Sequence, residues 1–275
     1  MASVHVNGID IHHEVFGPTS ADVADADVAW VLNIGGTGGD LRQTFPGGSP
    51  LNKRFRVVHY DQRGLGQTSR PDGEWTMADY ADDAAALIEA LILSAGAQRC
   101  HVVGTSFGGM VALNLALRRP DLIDRMVLLV TSPGGEHASY RLGEVDDMEP
   151  DEALATRLRL FDRRWDPSAD EPIPGLGAVY DFIIAGAATT PSPEVASGLA
   201  RQVEARDHHD VVDQLVSITH PTFIGCGRYD DLAPMANSEV LAERMPNARM
   251  QVFDGGHLLG FQDRSMWPAV IEFLS

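Results

Sequence analysis

Residues 99–117 constrain this chain more than any other stretch, because they carry a serine where a strand must turn directly into a helix. Residues 100–103 are a short apolar run with β-branched members, the composition of a buried strand. Residues 110–117 are apolar nearly all round, as a buried helix is, and Arg118-Arg119-Pro120 stops that helix. Between the two lies Gly104-Thr105-Ser106-Phe107-Gly108. A residue that joins strand to helix without a loop sits in a strained backbone conformation, and the positions two before and two after it must lack a Cβ for the elements to pass. Gly104 and Gly108 meet that need. The turn lifts the Ser106 hydroxyl out of the sheet edge and aims the first free helical N–H groups at whatever binds there.

The rest of the composition narrows the class. At 275 residues, with no linker rich in serine, glycine or proline, the chain reads as one domain with an insertion. No apolar run approaches the roughly 20 residues needed to span a bilayer. The formal charge of −18 is spread along the sequence with no basic cluster, which argues against nucleic acid and anionic membranes as partners. The only cysteines, Cys100 and Cys226, each fall in an apparent core strand and read as reduced, buried thiols. Met1-Ala2-Ser3-Val4-His5 has neither a basic start nor an apolar signal core, so the expected location is the cytoplasm.

Taken in order, residues 3–6 and 9–16 form a hairpin around Asn7-Gly8, a dipeptide whose turn matches strand twist. His12 and His13 alternate to opposite sides of it and make no metal site. Residues 18–27 read as an exposed acidic loop, and 28–34 as a strand buried on both faces. That strand empties into Gly35-Gly36-Thr37-Gly38-Gly39-Asp40, a loop either merely flexible or presenting bare N–H groups to an anion. A strand over 54–60 leads to Asp61-Gln62-Arg63-Gly64-Leu65-Gly66, where Asp61 and Arg63 are expected to pin loops. Thr76 caps a helix whose apolar residues recur at helical spacing until Gly96. Strands alternating with helices in this way indicate a mostly parallel sheet. From 133 to about 209 the alternation stops; Pro150 opens an amphipathic helix, and residues 179–184 form an apolar patch. Asp207-His208-His209-Asp210 reads as a solvated helix face rather than a metal site. The sheet resumes at 221–226 and ends at 249–253, before a final helix containing Trp267, Val270 and Phe273.

A serine hydroxyl is a poor nucleophile at neutral pH; it needs a base, and the base needs an acid to fix its tautomer. Ser106, Asp230 and His257 each follow the end of a strand. In a parallel sheet those ends share one side, so residues distant in sequence can converge there. We therefore read Ser106 as nucleophile, His257 as base and Asp230 as acid, with the adjacent Asp231 the alternative.

On Gly35-Gly36-Thr37-Gly38, Asp61-Gln62-Arg63-Gly64-Leu65-Gly66, Gly104-Thr105-Ser106-Phe107-Gly108, Gly227-Arg228-Tyr229-Asp230 and Gly256-His257, the chain resembles an α/β-hydrolase fold serine hydrolase of the capped esterase and lactonase type. The resemblance implies an α/β fold with a mostly parallel, eight-stranded sheet flanked by helices. Residues 1–132 and 211–275 would form the core and 133–210 a helical cap. It also implies an oxyanion hole made by the N–H of Phe107 and a second N–H from the glycine loop, that of Thr37 or, failing it, Gly36, since Gly35-Gly36 stands where the family commonly has His-Gly. The family's strand order places one strand between those of Cys100 and Cys226, roughly 9 to 10 Å apart and beyond disulfide reach.

The function expected is hydrolysis of a small to medium, largely neutral carboxylic ester or lactone through an acyl-enzyme on Ser106. No cofactor or metal is needed, and Phe161, Trp165, Tyr180 and Phe182 of the cap would bind the substrate. The same triad could instead cleave a carbon–carbon bond or carry out perhydrolysis, and the fold could also serve as a low-turnover small-ligand binder. Oligomeric state is not legible in the sequence.

Overall fold

The computed structural model describes residues 2–18, 28–141, 143–146, 148–187, 189 and 191–275. The acidic loop expected at 18–27 lies outside them from residue 19 onward. Eight strands form one sheet: β1 (Ala2–Val6), β2 (Ile9–Phe16), β3 (Trp30–Ile34), β4 (Arg56–Tyr60), β5 (Cys100–Thr105), β6 (Ile123–Leu129), β7 (Thr222–Gly227) and β8 (Ala248–Phe253). Their spatial order is β1-β2-β4-β3-β5-β6-β7-β8. The pairs β1/β2 and β2/β4 are antiparallel and the rest are parallel. The helices are α1 (Leu41–Thr44), α2 (Met77–Leu87), α3 (Phe107–Arg118), α4 (Gly143–Asp146), α5 (Pro150–Phe161), α6 (Ala178–Ala187), α7 (Pro193–Asp207), α8 (Met235–Arg244), α9 (Leu259–Gln262) and α10 (Met266–Leu274).

Local sequence accounts for most of these elements. Asn7 and Gly8 both take positive φ, 49° and 76°, as the hairpin turn requires. Thr76 and Asp79 form a reciprocal capping box at the start of α2, which continues as a π-helix over Ile88–Leu93. Strand alternation then builds two cores. Leu32, Val58, Val102, Leu128 and Ile224 face α2, α3 and α8, whereas Val31, Val57, Val103, Val127 and Phe223 face α10. Among the described residues, four α-helices, α4 to α7, lie between β6 and β7 in the chain, where the sequence signals only one amphipathic helix and an apolar patch. Two helices are left unread, the single-turn α4 and the longer α7. The buried residues of α7 are Gly198, Gln202, Ala205 and Arg206, a set with no apolar stripe: Gly198 meets the Gly64 backbone, Gln202 accepts the Gly38 N–H, Arg206 donates to the Tyr140 carbonyl, and only Ala205 joins the hydrophobic core.

The carboxyl ends of β3, β5, β6, β7 and β8 all finish at one edge: Ile34 pairs with Gly104, Thr105 with Leu129, Leu129 with Gly225, and Gly227 with Phe253. The strand order reverses between β3 and β5, and open α/β sheets form their ligand crevice at such a switch. Cys100 and Cys226 are free and buried. They differ from the expected spacing: β6 does separate their strands, but Cys100 is level with Ile123 while Cys226 lies beyond the Leu129 level. That offset is on the order of 20 Å along the strands at about 3.3 Å per residue.

Candidate active site

Ser106 sits between β5 and α3 with φ 55° and ψ −119°, a conformation that side-chain-bearing residues rarely adopt. The neighbouring glycines explain how it is reached. A Cβ on Gly108 would overlap the Ile34 carbonyl, and one on Gly104 would overlap the Gly108 carbonyl. The backbone of Ser106 is tied to the β6 side twice: its N–H donates to the Leu129 carbonyl at 2.8 Å, and the Thr131 hydroxyl donates to its carbonyl at 2.7 Å.

The loops after β7 and β8 bring the other two side chains to it. Ser106 Oγ lies 3.0 Å from His257 Nε2, and His257 Nδ1 lies 2.8 Å from Asp230 Oδ2. Asp230 is fully buried and its Oδ1 accepts the N–H groups of Leu232 and Ala233 at 2.9 and 2.8 Å. Its remaining oxygen therefore faces Nδ1 as an acceptor, which places the imidazole proton on Nδ1 and leaves Nε2 free to accept from the serine. Asp231 points elsewhere, pairing with Arg163 at 2.9 Å on the half-exposed surface. The His257 loop is itself braced: Gln262 accepts the Gly256 N–H at 2.8 Å and donates to Asp162 at 2.7 Å. Burial pushes the Asp162 carboxyl up, but hydrogen bonds from Arg164 and Gln262 more than offset it, so the group is held below its ordinary range.

Gly36 approaches Ser106 closely, with the site of a missing Cβ 3.5 Å from Ser106 Cβ. Thr37 follows it in the loop, and the Phe107 N–H, first of α3, has no intrahelical acceptor. The Phe107 ring itself is core, edge-on to Tyr80 at 4.9 Å. The Gln62 amide donates to the Gly35 carbonyl at 2.9 Å. Asp61 accepts the N–H groups of Leu41 and Gln67, at 2.7 and 2.8 Å, although burial raises its pKa. Arg63 forms a buried bidentate pair with Asp83.

The four aromatic residues expected at the substrate are not equivalent. Phe161, the last residue of α5, stacks on His257. Trp165 and Tyr180 pack in a small separate cluster around Leu158, Ile173 and Leu176 that reaches Leu258, and the Trp165 indole N–H is 3.3 Å from the Tyr180 hydroxyl. Phe182 is half exposed and meets Phe45 edge to face at 6.1 Å. His209 is buried rather than solvated, with Asn114 Nδ2 3.2 Å from its Nδ1. Among the described residues, no group of three or more His, Cys, Asp or Glu is placed to hold a metal ion. The sequence assigns no bracing role to Gln62, which stands within the Asp61–Gly66 motif, or to Gln262, the last residue of α9, because the partners of both amides lie far away in the chain.

A serine on a strand-to-helix elbow, with histidine and carboxylate supplied by later loops at the same edge of a largely parallel sheet, defines the α/β-hydrolase class. The family model of the alpha/beta hydrolase fold matches residues 29–263, and the chain belongs to that family. Its relatives include the putative carbamate hydrolase RutD of Caulobacter sp. (strain K31), 31% identical over 100% of this chain and 98% of that protein. The protein of the same name from Caulobacter vibrioides (strain NA1000 / CB15N) is 32% identical over 96% and 95%. Among solved structures, the enol-lactonase from Burkholderia xenovorans LB400 superposes with a TM-score of 0.78 at 24% identity, covering 99% of each chain. A hydrolase from Pseudomonas aeruginosa PA01 does so with 0.75 at 27% identity, covering 100% of this chain and 98% of that one. No helix among the described residues is long and apolar enough to cross a membrane.

Proposed function

We propose that this chain is a serine hydrolase that cleaves a small to medium, largely neutral carboxylic ester or lactone through an acyl-enzyme on Ser106. The observation that carries the reading is the linked set of 3.0 and 2.8 Å contacts from Ser106 Oγ through His257 to buried Asp230. In this reading His257 Nε2 takes the serine proton as Oγ bonds to the acyl carbon. The N–H groups of Phe107 and Thr37 hold the resulting oxyanion, and His257 passes its proton to the leaving alcohol. Water, deprotonated by the same imidazole, then releases the acid and restores the serine. Residues 133–210 act as a cap over residues 1–132 and 211–275, with Phe161 nearest the chemistry and Phe182 at the rim. The partner is a small molecule, and the paired absence of basic clusters and presence of buried free thiols suits a cytoplasmic enzyme.

A second reading, carbamate hydrolysis, is favoured by one observation: a relative of 31% identity over the whole chain carries the name putative carbamate hydrolase. The same steps apply, with a carbamoyl group on Ser106 in place of an acyl group. Both readings are tested by labelling with a fluorophosphonate and by turnover of matched ester, lactone and carbamate panels. We expect labelling at Ser106, and loss of at least about 1000-fold in turnover for Ser106→Ala. Full turnover by that variant would overturn both; the panel giving the highest kcat/KM decides between them.

A further inference from the structure

The second N–H of an oxyanion hole must be fixed before the reaction begins, since preorganised donors act without reorganisation cost. Here it lies in a loop with glycine on both sides of Thr37, so no flanking side chain packs it in place. Two bonds hold the turn itself. Gly39 N–H donates to the Gly36 carbonyl at 3.2 Å, closing a four-residue turn with Gly38 at its third position and φ +75°, the sign a type II turn requires there. The Gly36 carbonyl and the Thr37 N–H belong to one peptide plane and point in opposite directions, so this bond orients the Thr37 N–H. The next plane, between Thr37 and Gly38, is the one that rotates most freely in such a turn, because glycine accepts either sign of φ. Its N–H donates to Gln202 Oε1 at 2.8 Å.

Gln202 comes from α7, 164 residues away in the chain, and is fully buried. Beside it on the same helix, Leu199 reaches Gly38, and Arg201 donates to the Pro71 carbonyl at 2.8 Å. The amide is a poor device for stability. Its Oε1 makes one hydrogen bond, whereas its buried Nε2 meets no acceptor among the described residues, and an unmatched buried donor costs more than one such bond contributes. A methionine of similar length would be at least as stable. What the glutamine does accomplish is to hold the plane that follows Thr37.

We propose that Gln202 is a positioning residue: by holding the Gly38 N–H it fixes the glycine loop, so that the oxyanion hole is complete only when α7 is seated on the core. This rests on the hydrolase reading above. The hydrogen bonds of Ser106 and His257 do not include Gln202, so its effect is expected in the transition state and in kcat.

The experiment compares wild type, Gln202→Met and Gln202→Glu in steady-state kinetics, thermal unfolding and hydrogen–deuterium exchange of the peptide spanning 35–40. Gln202→Met is expected to unfold within a few degrees of wild type, to lose roughly 10- to 100-fold in kcat with KM within about threefold, and to exchange faster at Gly38. Gln202→Glu keeps an oxygen for the Gly38 N–H and is expected to recover most of both the protection and the rate. A merely structural role would leave kcat intact in folded protein, and a substrate contact would appear in KM; either result overturns the inference. Should Gln202→Met not fold, a folded Gln202→Glu with wild-type exchange supports the positioning bond, and one with unprotected Gly38 and wild-type kcat overturns it. Absence of wild-type turnover on every panel would sink the hydrolase reading and this inference together, whereas wild-type turnover with an unaffected Gln202→Met sinks this inference alone.

Discussion

The ring of Phe161 lies face to face with the imidazole of His257, centroids 5.9 Å apart and planes 10° from parallel, while the Phe161 carbonyl accepts the His257 backbone N–H at 2.6 Å. The last residue of α5 thus holds His257 twice, once through a side chain and once through the backbone. Removing the ring leaves the backbone bond and frees one face of the imidazole. Aromatic pairs of this kind are worth about 0.5–1.5 kcal/mol, so Phe161→Ala is expected to lower kcat roughly 2- to 10-fold. Phe161→Leu should fall between. Steady-state kinetics check this, and a rise in KM at constant kcat would assign Phe161 to substrate contact alone.

Asp230 and Asp231 are neighbours in sequence with opposite environments. Asp230→Asn keeps a side-chain oxygen for the Leu232 and Ala233 N–H groups but presents an amide to His257 Nδ1, which favours the wrong imidazole tautomer. A loss on the order of 10,000-fold in kcat is expected with little change in fold. Asp231→Asn breaks only a half-exposed pair with Arg163, worth about 0–1 kcal/mol, and should leave kcat unchanged. Parallel kinetics and circular dichroism of the two variants decide the matter. Equal losses in both would contradict the assignment.

Two buried imidazoles away from the reaction set an acid limit on stability. Burial lowers His59 and His209 to a pKa of about 4, and their neighbours suit the neutral ring: Asn33 Nδ2 lies 3.3 Å from His59 Nδ1, and Asn114 Nδ2 lies 3.2 Å from His209 Nδ1. The unfolded chain takes up these protons near pH 6.5, whereas the folded chain does so only near 4. Stability is therefore full above pH 6.5 and falls between the two values, by about 1.4 kcal/mol per pH unit for each ring. Urea unfolding at pH 7.5, 6 and 5 should show this slope, and His209→Gln should flatten it by one ring's share. An unchanged slope in that variant would show that His209 is protonated in the folded protein.

Much of this arrangement was legible in the sequence because it rests on local physics. Gly104 and Gly108 around Ser106, the Asn7-Gly8 turn, the capped α2 and the apolar runs of the central strands each state a backbone or burial requirement within a few residues. The order of Ser106, Asp230 and His257 after strand ends was readable for the same reason. What the sequence did not express was contact between segments far apart in it. Helix α7 has small and polar residues on its packed face, since several of its partners are backbone groups, those of Gly64, Gly38 and Tyr140, and that face has no hydrophobic period to detect. Whether Asp230 or Asp231 meets His257 depends on the direction of the turn after β7. The contacts of Phe161, Gln202 and Gln262 likewise follow from where α5, α7 and α9 come to rest. Periodicity and turn chemistry determine elements one at a time, whereas a hydrogen bond spanning 164 residues exists only once the whole chain has closed around it.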